Sequence, residues 1–281
     1  MLEYIKLIIF ALFCGATFAL PVSSASHFSF LNSIMKFSQE AEVLGFYYSV
    51  MSLAFSAVIF ILLRKIYTLC LKSLFNKDTK LKNYRRVIKN LAVSVIPAVI
   101  LFVPVGEDKL LCDLFDGFLT PSNLLMVSVA VIIGAFVLLI SSWYTRQSYS
   151  VTKRGADLKT VIRSSLYQII SYVIPGVSHV SSAATNMLIC DVESKVIVRE
   201  IYLYIAPQML IVNTVKVVRF ALSDMVINPV AVIICFVVTA LVSALVVTKM
   251  SKINIRRLFG FFVAYCALTG IIFAVLSFVI N

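Results

Sequence analysis

A chain of 281 residues that is 61% apolar and only 14% charged has too few polar side chains to cover a water-soluble globule. Its net charge of +12 would indicate nucleic acid in a soluble protein, yet the basic residues gather between apolar runs, where they orient membrane helices. Composition therefore excludes a soluble domain and a nucleic-acid partner. It predicts an all-α polytopic membrane protein forming one membrane domain, residues 1–281.

The first apolar stretch, about 7 to 31, is broken by Pro21-Val22-Ser23-Ser24-Ala25-Ser26-His27. Broken backbone survives at membrane depth only when protein shields it or it lines a wet cavity, so this stretch reads as a re-entrant helical hairpin. A cleavable secretory signal is the alternative reading, from Lys6, the apolar run and the small residues Val22 to Ala25; Glu3 and the recurrence of the motif argue against it. A full span follows at about 43 to 63. Nine basic residues come next (Arg64, Lys65, Lys72, Lys77, Lys80, Lys82, Arg85, Arg86, Lys89), which places that loop in the cytoplasm.

The run at about 91 to 105 is short for a bilayer, so it must tilt or borrow part of the basic loop. The next loop carries Glu107, Asp108, Asp113 and Asp116 against Lys109 and is expected outside. A span at about 124 to 143 returns the chain to a basic loop with Arg146, Lys153, Arg154, Lys159 and Arg163. A second broken stretch, about 161 to 190, contains Pro175-Gly176-Val177-Ser178-His179-Val180-Ser181-Ser182 and is read as a second hairpin. Spans at about 201 to 218, 226 to 248 and 258 to 280 complete about six full transmembrane helices, with Lys249, Lys252, Arg256 and Arg257 between the last two.

Charge parity opens the first hairpin outward and the second, flanked by Arg163, Lys195 and Arg199, toward the cytoplasm. Two opposed hairpins in corresponding positions define an inverted-topology repeat with approximate halves 1–143 and 144–281. The two histidines of the chain, His27 and His179, lie one in each motif, and the expectation is that they meet the motif hydroxyls in one hydrated chamber. The six cysteines show no metal-type spacing, and no acidic pair accompanies either histidine, so a zinc site has no support. Walker-type glycine loops, dinucleotide fingerprints and a GxSxG elbow are also missing, which leaves the paired Ser/His motifs to carry any chemistry.

Those motifs resemble the bacterial undecaprenyl-diphosphate phosphatases of the BacA type. The first family motif reads approximately EGLTEFLPVSSTGH, and Cys14 to His27 follow it without a gap; the second reads approximately PGxSRSGAT, matched from Pro175 to Ala183. Weaker echoes lie at Arg64-Lys65, Ile96-Pro97-Ala98-Val99 and Glu200 to Pro207. The resemblance implies a bacterial inner (plasma) membrane hydrolase that takes the terminal phosphate from a polyprenyl diphosphate lipid and so recycles the carrier for cell-wall synthesis. It also implies a divalent cation, commonly magnesium, although no ligands for one are evident in this sequence. By the same resemblance Ser24 is the residue acting on phosphorus, His27 the motif histidine, and Ser178 a phosphate-binding hydroxyl. Ser23, Ser26, Gly176, His179 and Ser181 complete the candidate substrate-binding set.

The departures fall on charged positions. Cys14 and Phe18 stand where the family has glutamates implicated in metal binding and proton transfer, His179 replaces an arginine, and Val180 a serine. A reduced set with His27 as base and Ser24 as nucleophile or oxygen binder remains conceivable. So does a set of serines that only satisfy broken backbone. Three readings stay open: a divergent phosphatase with a slow or altered site, a catalytically dead polyprenyl-phosphate binding protein or flippase, and a structural subunit. Monomer and homo-oligomer are both compatible with each.

Overall fold

A computed structural model describes residues 2–76, 78–106, 109–120, 124–147, 155–174, 176–223, 225 and 227–280. Pro175, Lys77, Glu107, Asp108, Lys153 and Arg154, which enter the sequence reading, lie outside the described residues, as does the side chain of Arg146. Eleven α-helices are described: α1 (Leu2–Thr17), α2 (Ser24–Met35), α3 (Ala41–Leu62), α4 (Arg64–Phe75), α5 (Lys82–Val99), α6 (Leu124–Gln147), α7 (Leu158–Val173), α8 (His179–Ile189), α9 (Ser194–Ala221), α10 (Pro229–Met250) and α11 (Ile255–Ile280). Among the described residues there is no β-strand, only an isolated bridge between Pro104 and Leu110. A 3-10 segment spans Leu111–Leu119.

Five helices are long and apolar enough to cross a bilayer: α3, α6 up to Trp143, α9, α10 and α11 up to Val279. The protein is a multi-pass membrane protein. Only 28% of the apolar window is buried in α10 and in α11, against 78% in α3, so α3 is central and the outer faces of α10 and α11 are left for lipid. Phe136, Leu241, Leu245, Phe261 and Phe278 illustrate that apolar outer surface.

The apolar run at 91 to 105 takes in part of the basic stretch before it, as its short length requires: α5 starts at Lys82 and its last residue is Val99, forming a strongly amphipathic helix beside the five long apolar ones. The basic stretch after α3 is likewise largely helical, since α4 occupies Arg64–Phe75. Cations spaced along an apolar stripe leave a helix free to form with its polar face in water.

Both interrupted stretches fold as helical pairs, α1–α2 with a break at 18–23 and α7–α8 with a break at 174–178. Each second helix starts on a motif serine. Ser23 Oγ accepts the Ser26 N–H at 3.3 Å, and Ser178 Oγ accepts the Ser181 N–H at 3.4 Å. A serine cap of this kind contributes about 1 kcal/mol and defines where the helix can begin. The α7–α8 pair is further stitched by the Asn186 amide, which donates to the Thr160 carbonyl at 3.1 Å and to Ser164 Oγ at 2.7 Å.

Helix packing follows a paired pattern. α1 lies on α10 as α7 lies on α5, α3 on α10 as α9 on α5, and α2 on α11 as α8 on α6, while α3 packs on α9 and α6 on α11. These pairs match one another as an α1–α6 unit and an α7–α11 unit would under a two-fold relation, while α8 on α9 and α2 on α6 have no comparable counterpart among the described residues. The α1–α10 seam is close because Gly15 faces Thr239 and Val242, and Ser243 Oγ donates to the Gly15 carbonyl at 3.0 Å.

Candidate functional site

Backbone freed by the first break is satisfied from the other half of the chain. Tyr202 of α9 donates to the Ala19 carbonyl at 2.6 Å, and Ser178 Oγ donates to the Leu20 carbonyl at 3.3 Å. The second motif thus touches the first directly. Gly176 seats the second break against α6 at Ala130, where even a single added Cβ would overlap backbone atoms.

Ser24, in the first turn of α2, is 6% exposed and accepts a hydrogen bond from the Tyr48 hydroxyl at 3.3 Å. Tyr48 in turn lines an inner chamber with Ser52, Cys112, Tyr172, His179, Met209, Val212, Asn213 and Lys216. Free space there is about 10 Å³, on the order of one water. Asn213 donates to Ser52 Oγ at 2.8 Å. Two polar atoms of the chamber wall, His179 Nδ1 and the Tyr172 hydroxyl, are buried without a hydrogen-bond partner among the described residues, and their rings lie 4.3 Å apart. A buried polar group left in that condition is a place for water or ligand.

His27 faces elsewhere. Its Nδ1 lies 2.6 Å from the Ser23 carbonyl, which can only accept, so that nitrogen carries the proton; Nε2 lies 2.7 Å from the Tyr265 hydroxyl of α11, and the rings stack with 5° between planes. Both nitrogens are occupied by fold contacts, and His27 lines neither cavity described here. The expected meeting of both imidazoles with the motif hydroxyls is therefore not the arrangement seen: His179 joins the chamber, and His27 anchors α2 to α11. Ser26 Oγ donates to Ser23 Oγ at 2.9 Å, and Ser181 Oγ donates to the Ser178 carbonyl at 3.0 Å, so these two hydroxyls serve the turns that carry them.

The positions of the expected carboxylates are apolar in surroundings as well as in identity. Phe18 is 3% exposed, with its ring 5.3 Å from Tyr48 and stacked 5.6 Å from Phe55, and Cys14 is fully buried. Neither offers a hard oxygen donor, and no group of three His, Cys, Asp or Glu is clustered among the described residues. These residues do not fit a magnesium ion.

Beside the chamber lies a wider vestibule of about 560 Å³, lined by α3, the 3-10 segment and the end of α9. Lys216 lines both spaces. It pairs with Asp116, and one turn further along α9 Arg219 pairs with Asp113. Asp116 is 8% exposed, and burial pushes its carboxyl above the usual range despite the opposing pull of Lys216. Burial also opposes ionisation of Asp113, but the Leu110 N–H and Arg219 outweigh it and hold that carboxyl below the usual range. Gly45 of α3 makes room for this arrangement, because a Cβ there would stand 2.5 Å from the Asp116 carboxyl.

Of these groups, the sequence pattern puts Asp113 and Asp116 in a loop, and nothing in the motifs marks Tyr48, Tyr172 or Asn213. Lys216 did carry a signal, as an ionisable residue inside an apolar run.

Paired interrupted hairpins, buried helix-capping serines and a polar chamber beside a charged vestibule define a multi-pass membrane protein with a polar site within its helical bundle. The bacitracin resistance protein BacA family model matches residues 7–272, and the chain belongs to that family. It is 26% identical over 272 residues to the undecaprenyl-diphosphatase of Rhizorhabdus wittichii, covering 96% of both chains. It is 27% identical over 280 residues to that of Clostridium tetani, covering 99% of this chain and 97% of the relative. A third relative of the same name, from Lacticaseibacillus paracasei, is 24% identical over 225 residues, with 78% and 77% covered.

Proposed function

We propose that the protein acts on undecaprenyl diphosphate in the bacterial inner membrane, as an undecaprenyl-diphosphate phosphatase-like protein with a reduced catalytic set. The observation that carries this reading is the line of contacts from Ser24 through Tyr48 to the chamber with His179, in a chain whose family match spans nearly its whole length. A diphosphate head would enter the vestibule from the external side while its prenyl tail stayed among lipid-facing side chains. Ser24 would meet the phosphorus at the start of α2, where unpaired N–H groups favour anions. His27, with both nitrogens committed, would hold α2 in place rather than take the serine proton.

Phosphate release from undecaprenyl diphosphate by the purified protein, with and without magnesium, tests the reading. Release that is lost in Ser24→Ala and retained in Ser181→Ala supports it; the absence of both release and saturable lipid binding in the unaltered protein overturns it. A second reading, a polyprenyl-phosphate binding protein or flippase, is favoured by Phe18, whose ring fills the place of a catalytic carboxylate. Saturable lipid binding without release would select it.

A further inference from the structure

Lys216 and Asp116 carry an inference that deepens the proposed function and rests on it. At the motif positions where the resemblance puts charge, this chain has Cys14, Phe18 and His179. A phosphate site still needs cationic donors. The structure brings one from elsewhere: Lys216 of α9 stands at the neck between vestibule and chamber, with a side chain only 9% exposed. The unpartnered Tyr172 hydroxyl lines the same chamber, so two groups able to donate to a phosphate oxygen border one small space.

Lys216 also donates to the Cys112 carbonyl at 3.4 Å, and its charged partner behaves as an internal anion. Asp116 is carried on the 3-10 segment Leu111–Leu119, not on a membrane helix, and its carboxylate sits against the ammonium where an entering phosphate oxygen would sit. The same segment sets Asp113 on Arg219, so both cations of the α9 end are covered by one short element. A chamber with about 10 Å³ of free space admits no phosphate, whereas the vestibule of about 560 Å³ accommodates a diphosphate head directly in front of the neck. We propose that Lys216 is the phosphate-gripping cation of this chain, and that Asp116 masks it until the diphosphate head of a lipid displaces that carboxylate.

This assignment has an asymmetric signature. Binding of inorganic pyrophosphate and of undecaprenyl diphosphate is measured on the full chain in nanodiscs, for the unaltered protein, Asp116→Asn, Lys216→Met and the neutral pair Asp116→Asn/Lys216→Gln. Unmasking by Asp116→Asn tightens binding several-fold, while Lys216→Met weakens it on the order of tenfold or more, as loss of a charge-assisted contact requires. The neutral pair, which leaves no uncompensated buried charge, binds as weakly as Lys216→Met and guards against a folding defect.

If Asp116→Asn and Lys216→Met weaken binding alike, or neither changes it, the pair is a structural tie and the inference falls. Lipid that binds or is hydrolysed by Lys216→Met as well as by the unaltered protein overturns Lys216 but leaves the proposed function standing. Lys216-dependent binding of pyrophosphate without any lipid binding keeps the anion subsite and removes the lipid. Absence of binding by every probe overturns both.

Discussion

The hydroxyl of Tyr202 donates to the carbonyl of Ala19 at 2.6 Å, across 183 positions of sequence, and so ties α9 to the break between α1 and α2. Both ends of this contact are buried. The carbonyl was released by the break in the first hairpin, and the phenol is the protein group that repays it at membrane depth.

Tyr202→Phe removes that donor while keeping the ring that meets Phe55 edge-on. The expected cost is about 1–3 kcal/mol, the usual range for a buried acceptor left unsatisfied. Thermal unfolding of the detergent-solubilised protein measures it, and an unchanged midpoint would show that the first break is held by other contacts.

Gly176→Ala is predicted to be the more damaging change. The added methyl would overlap the Ala130 backbone, and backbone cannot step aside as a side chain end can. A loss of about 3 kcal/mol or more is expected, the upper range for single substitutions, with poor recovery of folded protein after extraction. Gly134→Ala, whose new methyl would stand 3.0 Å from the Gly176 carbonyl, should be milder.

Asp113 gives the protein an acid limb. Its carboxyl is held below the usual range in the folded state, so the stability it contributes is present above the unfolded-state value and is lost as pH falls through the folded one. The unaltered protein should therefore lose stability in a window beginning near about pH 4 and continuing below it. Asp113→Asn should flatten that limb while leaving the neutral plateau of a melting series nearly level. An identical acid limb in the variant would assign the loss to other carboxylates.

Phe18→Glu, which restores the carboxylate implied by the resemblance, is expected to destabilise before it activates. The ring belongs to a buried group with Tyr48 and Phe55, and an unpaired carboxylate placed there loses its hydration. The measured melting point should fall, and phosphate release should not rise unless Cys14→Glu and His179→Arg are added. A rise with Phe18→Glu alone would mean that one carboxylate is the missing element.

The hairpins were legible because proline, serine and histidine punctuate otherwise apolar runs, and a bilayer punishes such breaks. Ser23 and Ser178 could be read as special for the same reason, although their capping role needs the helix start to be known. The orientation of His27 was not legible, since its partner Tyr265 is 238 positions away and only packing brings α2 to α11. The basic stretch hid α4 and the start of α5, because charge density reads as loop while the apolar stripe beneath it makes an amphipathic helix. Asp116 reads locally as one loop charge among several; its burial on Lys216 is a tertiary event that neither local sequence records.

Gly45 gives the charged neck a genetic vulnerability. Its missing side chain leaves room for the Asp116 carboxyl, so the smallest coding change at that position, to alanine, would push on the acid without altering either member of the ion pair. Selection on position 45 would then act through a residue with no chemistry of its own, and a survey of natural variants should find its freedom tied to what occupies positions 116 and 216.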